Sequence, residues 1–156
     1  AASKLSKAEK ILETGVAYGW SSLAILESIS DKDDAKLISV DMPYPKMNNE
    51  DFVGIVVPKH LLKKWQLIRE PDRNGIKKAL SIFNGTIDFC HYDSDKSYYG
   101  RAFAYPILWD ALKTKGIFIS DDIQDNFAFK EFVEIKNINF AITKAEDKYI
   151  GIIYKD

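Results

Sequence analysis

The stretch ILETGVAYGW, residues 11–20, begins as a short apolar strand, continues with an acidic residue and contains two glycines four residues apart. A helical pattern follows, with four apolar residues spaced for burial on one face: Leu23, Ile25, Leu26 and Ile29. A strand that turns through glycines into a helix is the arrangement in which nucleotide-type cofactors are held. The stretch therefore predicts the first strand–helix unit of an α/β fold, with a cofactor site at its turn.

The rest of the chain alternates apolar runs with helical patterns, which predicts βαβ units and a mainly parallel sheet. We expect strands over 10–14, 36–40, 65–69, 86–92 and 116–120, and helices over 21–29, 74–83, 99–112 and 127–136. Two further β-rich runs, 138–143 and 148–154, are joined by the short segment KAED, which is typical of an antiparallel hairpin. The predicted fold class is α/β, a Rossmann-like, doubly wound and mainly parallel seven-stranded sheet with a C-terminal antiparallel hairpin.

The composition is that of one soluble globular domain, with 156 residues, 46% of them hydrophobic and 29% charged. We expect a single domain over 1–156 with a short or missing N-terminal cap, because the first strand begins at Lys10. The net charge of −1 with dispersed basic residues argues against nucleic-acid binding, and no apolar run approaches the ~20 residues of a membrane span. Cys90 is the single cysteine, which excludes a disulfide framework and favours a reducing, cytoplasmic compartment. The sequence leaves open whether the protein forms a homo-oligomer.

The glycine turn lacks the dinucleotide-binding fingerprint, which requires G-x-G-x-x-G after the first strand. Counted from Gly15, the second glycine position holds Ala17 and the third holds Trp20. Those glycines let the backbone approach a pyrophosphate and let the helix pack closely on the strand. A nicotinamide or flavin dinucleotide is therefore a poor fit.

The residues present instead, Glu13, Gly15 and Gly19, form an E-x-G-x-x-x-G pattern. The pattern resembles the first motif of the class I S-adenosylmethionine (SAM)-dependent methyltransferases. The resemblance implies that SAM binds along this turn, with Val16 and Ser21 among the contacting residues. Glycines let such a turn pass close to the cofactor. Glu13 is expected to face the amino acid end of SAM or to order the turn.

Two acids on the neighbouring strands extend the expected cofactor site. Asp41 ends the second strand, where a carboxylate can accept hydrogen bonds from a ribose diol. Asp72 follows the third strand, and we expect it either near the adenine or as the N-cap of the next helix.

The fourth and fifth strands also end in acids, in the segments HYDSDKSYYG (91–100) and ISDDIQDN (119–126). Ligands of an open α/β sheet bind outside the carboxyl ends of its strands, so Asp93, Asp121 and Asp122 are expected to meet beside the cofactor. Like charges raise one another's pKa, and a hard divalent cation such as Mg²⁺ resolves that repulsion with oxygen ligands. The sequence therefore predicts a metal site of these three carboxylates.

The pair of segments DSDKSY (93–98) and ISDDI (119–123) is similar to the metal-dependent O-methyltransferases, including the catechol and macrocin-type sugar branches. In those proteins an Asp after strand four and an acidic pair after strand five hold Mg²⁺. Many relatives have His at the position of Lys96, whereas the catechol branch has Lys. Lys96 and Asp93 are thus candidate proton acceptors, although Lys96 is equally well explained as a solvated lysine. The resemblance extends from 11 to 154.

Several other residues near these strand ends are open to more than one interpretation. The irregular segment 42–58, with Tyr44, Met47 and Phe52, is expected to cover the site. Aromatic residues that could line an acceptor pocket are Tyr18, Trp20, Tyr98 and Tyr99. His91, inside the fourth strand, is expected to be structural.

The predicted function is transfer of a methyl group from SAM to a hydroxyl of a small-molecule acceptor, with Mg²⁺ binding the acceptor oxygen. Three alternatives remain at this point. They are a metal-independent methyltransferase, a non-catalytic SAM-binding domain and a dinucleotide oxidoreductase.

Overall fold

The structure is a computed structural model, and it describes residues 7–42 and 49–156. Its strands are β1 (Lys10–Thr14), β2 (Lys36–Val40), β3 (Trp65–Ile68), β4 (Ile87–Tyr92), β5 (Leu112–Ser120), β6 (Phe140–Ala145) and β7 (Lys148–Tyr154). They form one sheet in the order β3-β2-β1-β4-β5-β7-β6. The first five strands are parallel, and β7 is antiparallel to both β5 and β6. The predicted fold class, including the C-terminal hairpin, is confirmed.

Helices cover both faces of this sheet. They are α1 (Trp20–Ser28), α2 (Asp72–Ile82), α3 (Tyr98–Ala111) and α4 (Ala128–Lys136), with short 3₁₀ helices at Glu50–Phe52, Lys59–Lys64 and Ile123–Asp125. Side chains of a strand alternate between faces. Leu12 of β1 therefore packs in a core cluster with Ile76 and Leu108, whereas its neighbour Ile11 packs with Leu26 on the α1 face. No helix in the described ranges has the length and apolarity to cross a membrane.

The largest difference from the predicted boundaries is at β5, which begins at Leu112 rather than at Gly116. Leu112 pairs with Ile87, and the register then shifts before Ile117 pairs with Phe89. Lys115, inside this bulge, has a left-handed backbone with φ of 67°. A bulge inserts residues that need no apolar pattern, so the polar LKTK segment gave no strand signal.

The hairpin also begins later than predicted, at Phe140 rather than at Ile138. Asn137 ends α4 in the left-handed conformation, and the Ile138 amide donates a hydrogen bond of 2.9 Å to the Val133 carbonyl. Ile138 therefore terminates the helix instead of starting the strand. The turn itself has two residues, because Ala145 pairs directly with Lys148.

The strand order places the site. The chain runs outward from β1 through β2 to β3, then returns to β4 on the other side of β1. The order reverses between β1 and β4, and ligands of open α/β sheets bind in the crevice at such a switch point. The segments that leave β1 and β4 there are the glycine turn and the DSDKSY segment.

Candidate active site

The glycine turn, residues 15–19, is in backbone contact with the chain that leaves β4. Gly15 has φ of +79°, and its amide donates to the Val40 carbonyl at 2.9 Å. A Cβ on Gly15 would lie 2.3 Å from the carbonyl oxygen of Asp93. The Asp93 amide in turn donates to the Thr14 carbonyl at 2.9 Å. Glycine is required here by the approach of Asp93 as well as by any ligand, which sequence reasoning did not foresee.

Gly15 and Gly85 have similar backbone conformations, so comparing them separates the effect of the Asp93 contact from the strain of a left-handed backbone. Gly85 has φ of +76°, but a Cβ there would meet nothing within 4 Å. We expect Gly85→Ala to lower the free energy of unfolding by about 1–2 kcal/mol through left-handed strain alone. Gly15→Ala should lose clearly more, since it also displaces the Asp93 backbone. Denaturant unfolding of both variants checks this, and equal losses would contradict the contact.

Glu13 lies beneath the turn, fully buried at the end of β1. Its carboxylate accepts hydrogen bonds from the hydroxyls of Ser21 (2.6 Å), Ser22 (2.5 Å) and Ser39 (2.7 Å). Burial opposes ionisation of Glu13, but the His91 imidazole and the serine hydroxyls outweigh it and lower its pKa. Of the two predicted roles of Glu13, this geometry supports ordering the turn, because its carboxylate accepts hydrogen bonds from the two serines at the start of α1.

Asp41 holds the turn from the neighbouring strand end. Its Oδ2 accepts hydrogen bonds from the amides of Val16 (2.6 Å) and Ala17 (3.0 Å). Among the residues that the structure describes, Oδ1 accepts no such bond. One oxygen of Asp41 therefore fixes the turn, and the other is available to a ligand.

Asp72 is the first residue of α2, and Pro71 occupies the N-cap position without a side-chain cap. The Asp72 carboxylate instead accepts a hydrogen bond of 2.5 Å from the Ser94 hydroxyl, which lies 2.9 Å from Thr14 Oγ1. Burial and the nearby Asp95 carboxylate raise the Asp72 pKa. The N-cap alternative is therefore wrong. Ser94 was missed, although its place inside the DSD segment was a signal.

These residues surround a cavity of about 690 Å³. That volume lies within the range of roughly 300–1,000 Å³ usual for small-molecule sites. The lining includes Gly15, Val16, Ala17, Asp41, Met42, Asn49, Val53, Pro71, Asp72, Arg73, Asp93, Ser94, Asp95 and Lys96. Of the predicted cofactor residues, Gly15, Val16, Asp41 and Asp72 are in the lining, whereas Glu13, Gly19 and Ser21 are not.

The segment expected to cover the site contacts the glycine turn in its second half. The Gly54 amide donates to the Ala17 carbonyl at 2.9 Å. Phe52 is exposed, and Tyr44 and Met47 lie outside the described residues. The aromatics proposed for an acceptor pocket are also exposed and do not line this cavity: Tyr18, Trp20, Tyr98 and Tyr99.

Lys96 lies between two of the predicted metal ligands. Its Nζ is 2.9 Å from Asp93 Oδ1 and donates a short hydrogen bond to Asp122 Oδ2. Asp122 Oδ1 lies 3.5 Å from the Nζ of Lys148. Burial would lower the Lys96 pKa, but the bonds to Asp122 and Asp93 raise it, so Lys96 is an ammonium rather than a ready base. Burial also raises the Asp93 pKa, with the Asp121 charge adding to it against the opposing effect of Lys96.

His91 occupies the position beside the third predicted ligand. Its Nδ1 is 3.5 Å from Glu13 Oε1, and its Nε2 is 3.5 Å from Asp121 Oδ1. Ligand atoms of His91, Asp93 and Asp121 all lie within 4.8 Å of one another. The predicted set of Asp93, Asp121 and Asp122 is therefore not the set that the structure groups. His91 enters it and Asp122 does not; the Asp122 carboxylate pairs instead with Lys96 and Lys148.

A buried arginine fixes the acidic turn after β5. Arg101 of α3 is fully buried, and its Nη2 donates to the carbonyls of Asp121 (3.1 Å) and Asp122 (2.8 Å). Asp122 itself has a left-handed backbone with φ of 51°. The two bonds fix the backbone of this turn and help to offset the cost of that conformation. Arg101 was missed by sequence reasoning, although a charged residue on the apolar face of a helix was a signal.

The donor set at this edge fits a hard divalent cation poorly. Mg²⁺ prefers oxygen ligands, whereas the grouped set contains the imidazole of His91. That imidazole lies between the carboxylates of Glu13 and Asp121. Burial would lower its pKa, but the two acids raise it to about 10. A protonated His91 and the Lys96 ammonium already supply positive charge.

We expect His91→Gln to lower the free energy of unfolding by about 3–5 kcal/mol, since removing one member of a buried ion pair leaves the other uncompensated. The pKa of His91 is raised by folding from 6.5 to about 10. The stabilisation is therefore complete below pH 6.5 and is lost as the pH rises toward 10. Urea unfolding across this range measures it.

The control for that experiment is His60→Gln, because the His60 side chain is 71% exposed and lies 4.0 Å from Glu27. The control should keep the pH dependence of the parent protein, and His91→Gln should flatten it. Parallel curves for the parent and His91→Gln would show that the imidazolium is not bound as described.

The chain resembles a known protein family and several solved structures. A family model described as a methyltransferase domain matches residues 12–123. No curated protein sequence is significantly similar to the chain.

Solved structures share the fold. An O-methyltransferase from Bacillus cereus in complex with S-adenosylhomocysteine (SAH) is 12% identical with a TM-score of 0.74, over 98% of this chain and 77% of that one. The SAH-bound methyltransferase of Podospora anserina is 20% identical with a TM-score of 0.70, over 99% and 75%. The O-methyltransferase TomG from Streptomyces achromogenes, in complex with SAM, is 12% identical with a TM-score of 0.72, over 99% and 76%. At these identities the likeness establishes the fold.

Proposed function

The chain belongs to this family of methyltransferase domains, and on that premise we propose that it transfers a methyl group from SAM to a hydroxyl group of a small molecule. The observation that carries the proposal is the cavity at the switch point of the sheet. Asp41, Asp72, Asp93 and Lys96 all line it. A site for the donor and two groups suited to proton chemistry thus share one opening.

The lining of the cavity suits a cationic nucleoside. SAM supplies, when bound, a methyl group made electrophilic by a sulfonium. Four carboxylates line the cavity, those of Asp41, Asp72, Asp93 and Asp95. They attract a cationic ligand and disfavour the pyrophosphate of a dinucleotide. The free oxygen of Asp41 is the group we assign to the ribose hydroxyls.

Asp93 and Lys96 have different roles toward the acceptor hydroxyl. The Lys96 ammonium, held by two carboxylates, lowers the pKa of an acceptor hydroxyl placed beside it. The Asp93 carboxylate takes the proton from that hydroxyl. Asp93 suits the role because burial raises the pKa of its carboxyl above that of an ordinary aspartate, which makes its carboxylate a stronger base. We therefore assign general-base catalysis to Asp93 rather than to Lys96.

The Mg²⁺ predicted from the sequence, with Asp93, Asp121 and Asp122 as ligands, remains a separate prediction. One observation favours the metal-independent alternative: Lys96 pairs with both Asp93 and Asp122. None of the steps assigned above depends on a metal ion.

The test supplies the protein with SAM carrying a deuterated methyl group and three trial acceptors: a catechol, a simple phenol and a hexose. Mass spectrometry then follows the label. We expect a labelled methyl ether on one acceptor, with stoichiometric SAH. Binding of SAM without transfer to any of a widened set of hydroxyl compounds would favour the non-catalytic alternative.

A further inference from the structure

The acidic edge of the site is already neutralised by side chains of this chain. Asp93 Oδ1 is 2.9 Å from Lys96 Nζ, and Asp122 Oδ2 bonds to the same ammonium. Asp121 Oδ1 is 3.5 Å from His91 Nε2. Each of the three carboxylates that predicted a divalent cation therefore faces a cationic or imidazole nitrogen.

The position of the ammonium is the position that an ion would need. A divalent cation shared by Asp93 and Asp122 would lie about 2.0–2.6 Å from an oxygen of each. Lys96 Nζ is within hydrogen-bonding distance of both oxygens. The ion and the ammonium cannot occupy this place together, so binding the ion requires breaking both ion pairs.

The lysine and its partner are also fixed from behind. The Asn126 side-chain amide donates to the Lys96 carbonyl at 2.8 Å, and Arg101 donates to the Asp122 carbonyl at 2.8 Å. The Lys96 side chain is only 35% exposed. These contacts fix the backbone from which the Lys96 and Asp122 side chains extend toward each other.

We infer that the Lys96 ammonium takes the place of a divalent cation in this site, so that the protein carries out its reaction without a metal. The inference rests on the proposed function for its consequence in catalysis. Its structural part concerns cation binding alone, which is measured without an acceptor.

The experiment titrates Mn²⁺ into the protein and follows free Mn²⁺ by electron paramagnetic resonance, with and without SAH. The test variant is Lys96→Met, which keeps most of the side-chain volume. The control is Lys130→Met, because Lys130 is 65% exposed and does not line the cavity. We expect no stoichiometric Mn²⁺ site in the parent or in Lys130→Met. Lys96→Met should bind one Mn²⁺ at least tenfold more tightly, because its freed carboxylates become ligands.

Circular dichroism confirms that the variants are folded, and Lys96→Gln replaces Lys96→Met if the latter is not. Once an acceptor is known, turnover of the parent should be unchanged in excess chelator. Equal Mn²⁺ affinity of the parent and the Lys96 variant, whether tight or absent, overturns the inference, as does loss of turnover in chelator. None of the binding results depends on whether a methyl group is transferred.

Discussion

Asp93→Asn is expected to lower the turnover number by about 10²–10⁴, the usual contribution of a general base. The substitution keeps the size of the side chain but removes the oxygen pair that accepts the proton. SAH affinity should change only a few-fold, because the Asp93 amide and carbonyl, which contact the β1 end and the glycine turn, are unchanged. Turnover on the acceptor found by the labelled-methyl assay, with SAH affinity measured by calorimetry, separates the two effects.

The matched control is Asp110→Asn, since Asp110 is an exposed acid on α3. It should retain the turnover number of the parent. Equal turnover of the two variants would show that Asp93 is not the general base, and would favour Lys96 or a bound metal ion in that role.

Asp41→Ala is expected to weaken SAH binding by a factor of about 100 or more. Hydrogen bonds to a charged acceptor contribute roughly 1.5–3 kcal/mol each, and the variant loses those assigned to the ribose. It also loses the two bonds from Val16 and Ala17 that hold the turn in place. Asp41→Asn keeps one acceptor oxygen and should lie between the parent and the alanine variant.

The control for this prediction is Asp34→Ala, because Asp34 is an exposed acid at the opposite end of β2. Calorimetric titration with SAH should give the parental affinity for it. An Asp41→Ala protein that binds SAH as tightly as the control would remove this carboxylate from the cofactor site.

The fold could be predicted because the signals for it are local. β1 and β2 have the predicted bounds, since each is a compact run with buried residues on both faces of the sheet. The hairpin followed from two β-rich runs with too short a connection for a helix. The bulge in β5 was missed because Lys113, Thr114 and Lys115 carry no apolar pattern.

The location of the candidate site could be predicted from the sequence, but the contacts between its side chains were harder to predict. Strand ends located Asp41, Asp72 and Asp93 at the cavity. Which side chain faces which depends on register and on distant helices. His91 lies directly beside Glu13 only because β4 pairs with β1 at that residue. The alternation of residues in the two strands allowed this contact, but sequence alone did not supply the register.

The pairing of Lys96 with Asp122 depends on a longer chain of contacts. It requires the left-handed turn after β5 and the buried Arg101 that stabilises it. Neither is visible from the spacing of acids along the chain, and so the predicted three-carboxylate metal set did not include the lysine as a competitor.

The measurement that tests the account most directly is a pair of calorimetric titrations of the parent protein, one with SAH and one with NAD⁺. We predict saturable binding of one SAH per chain and no binding of NAD⁺ up to about 1 mM, where a complex would have only about 4 kcal/mol of binding free energy. Asp41→Ala should abolish or strongly weaken the SAH signal. Absence of SAH binding to the folded parent, or saturable binding of NAD⁺ in its place, would contradict the assignment of this cavity to SAM.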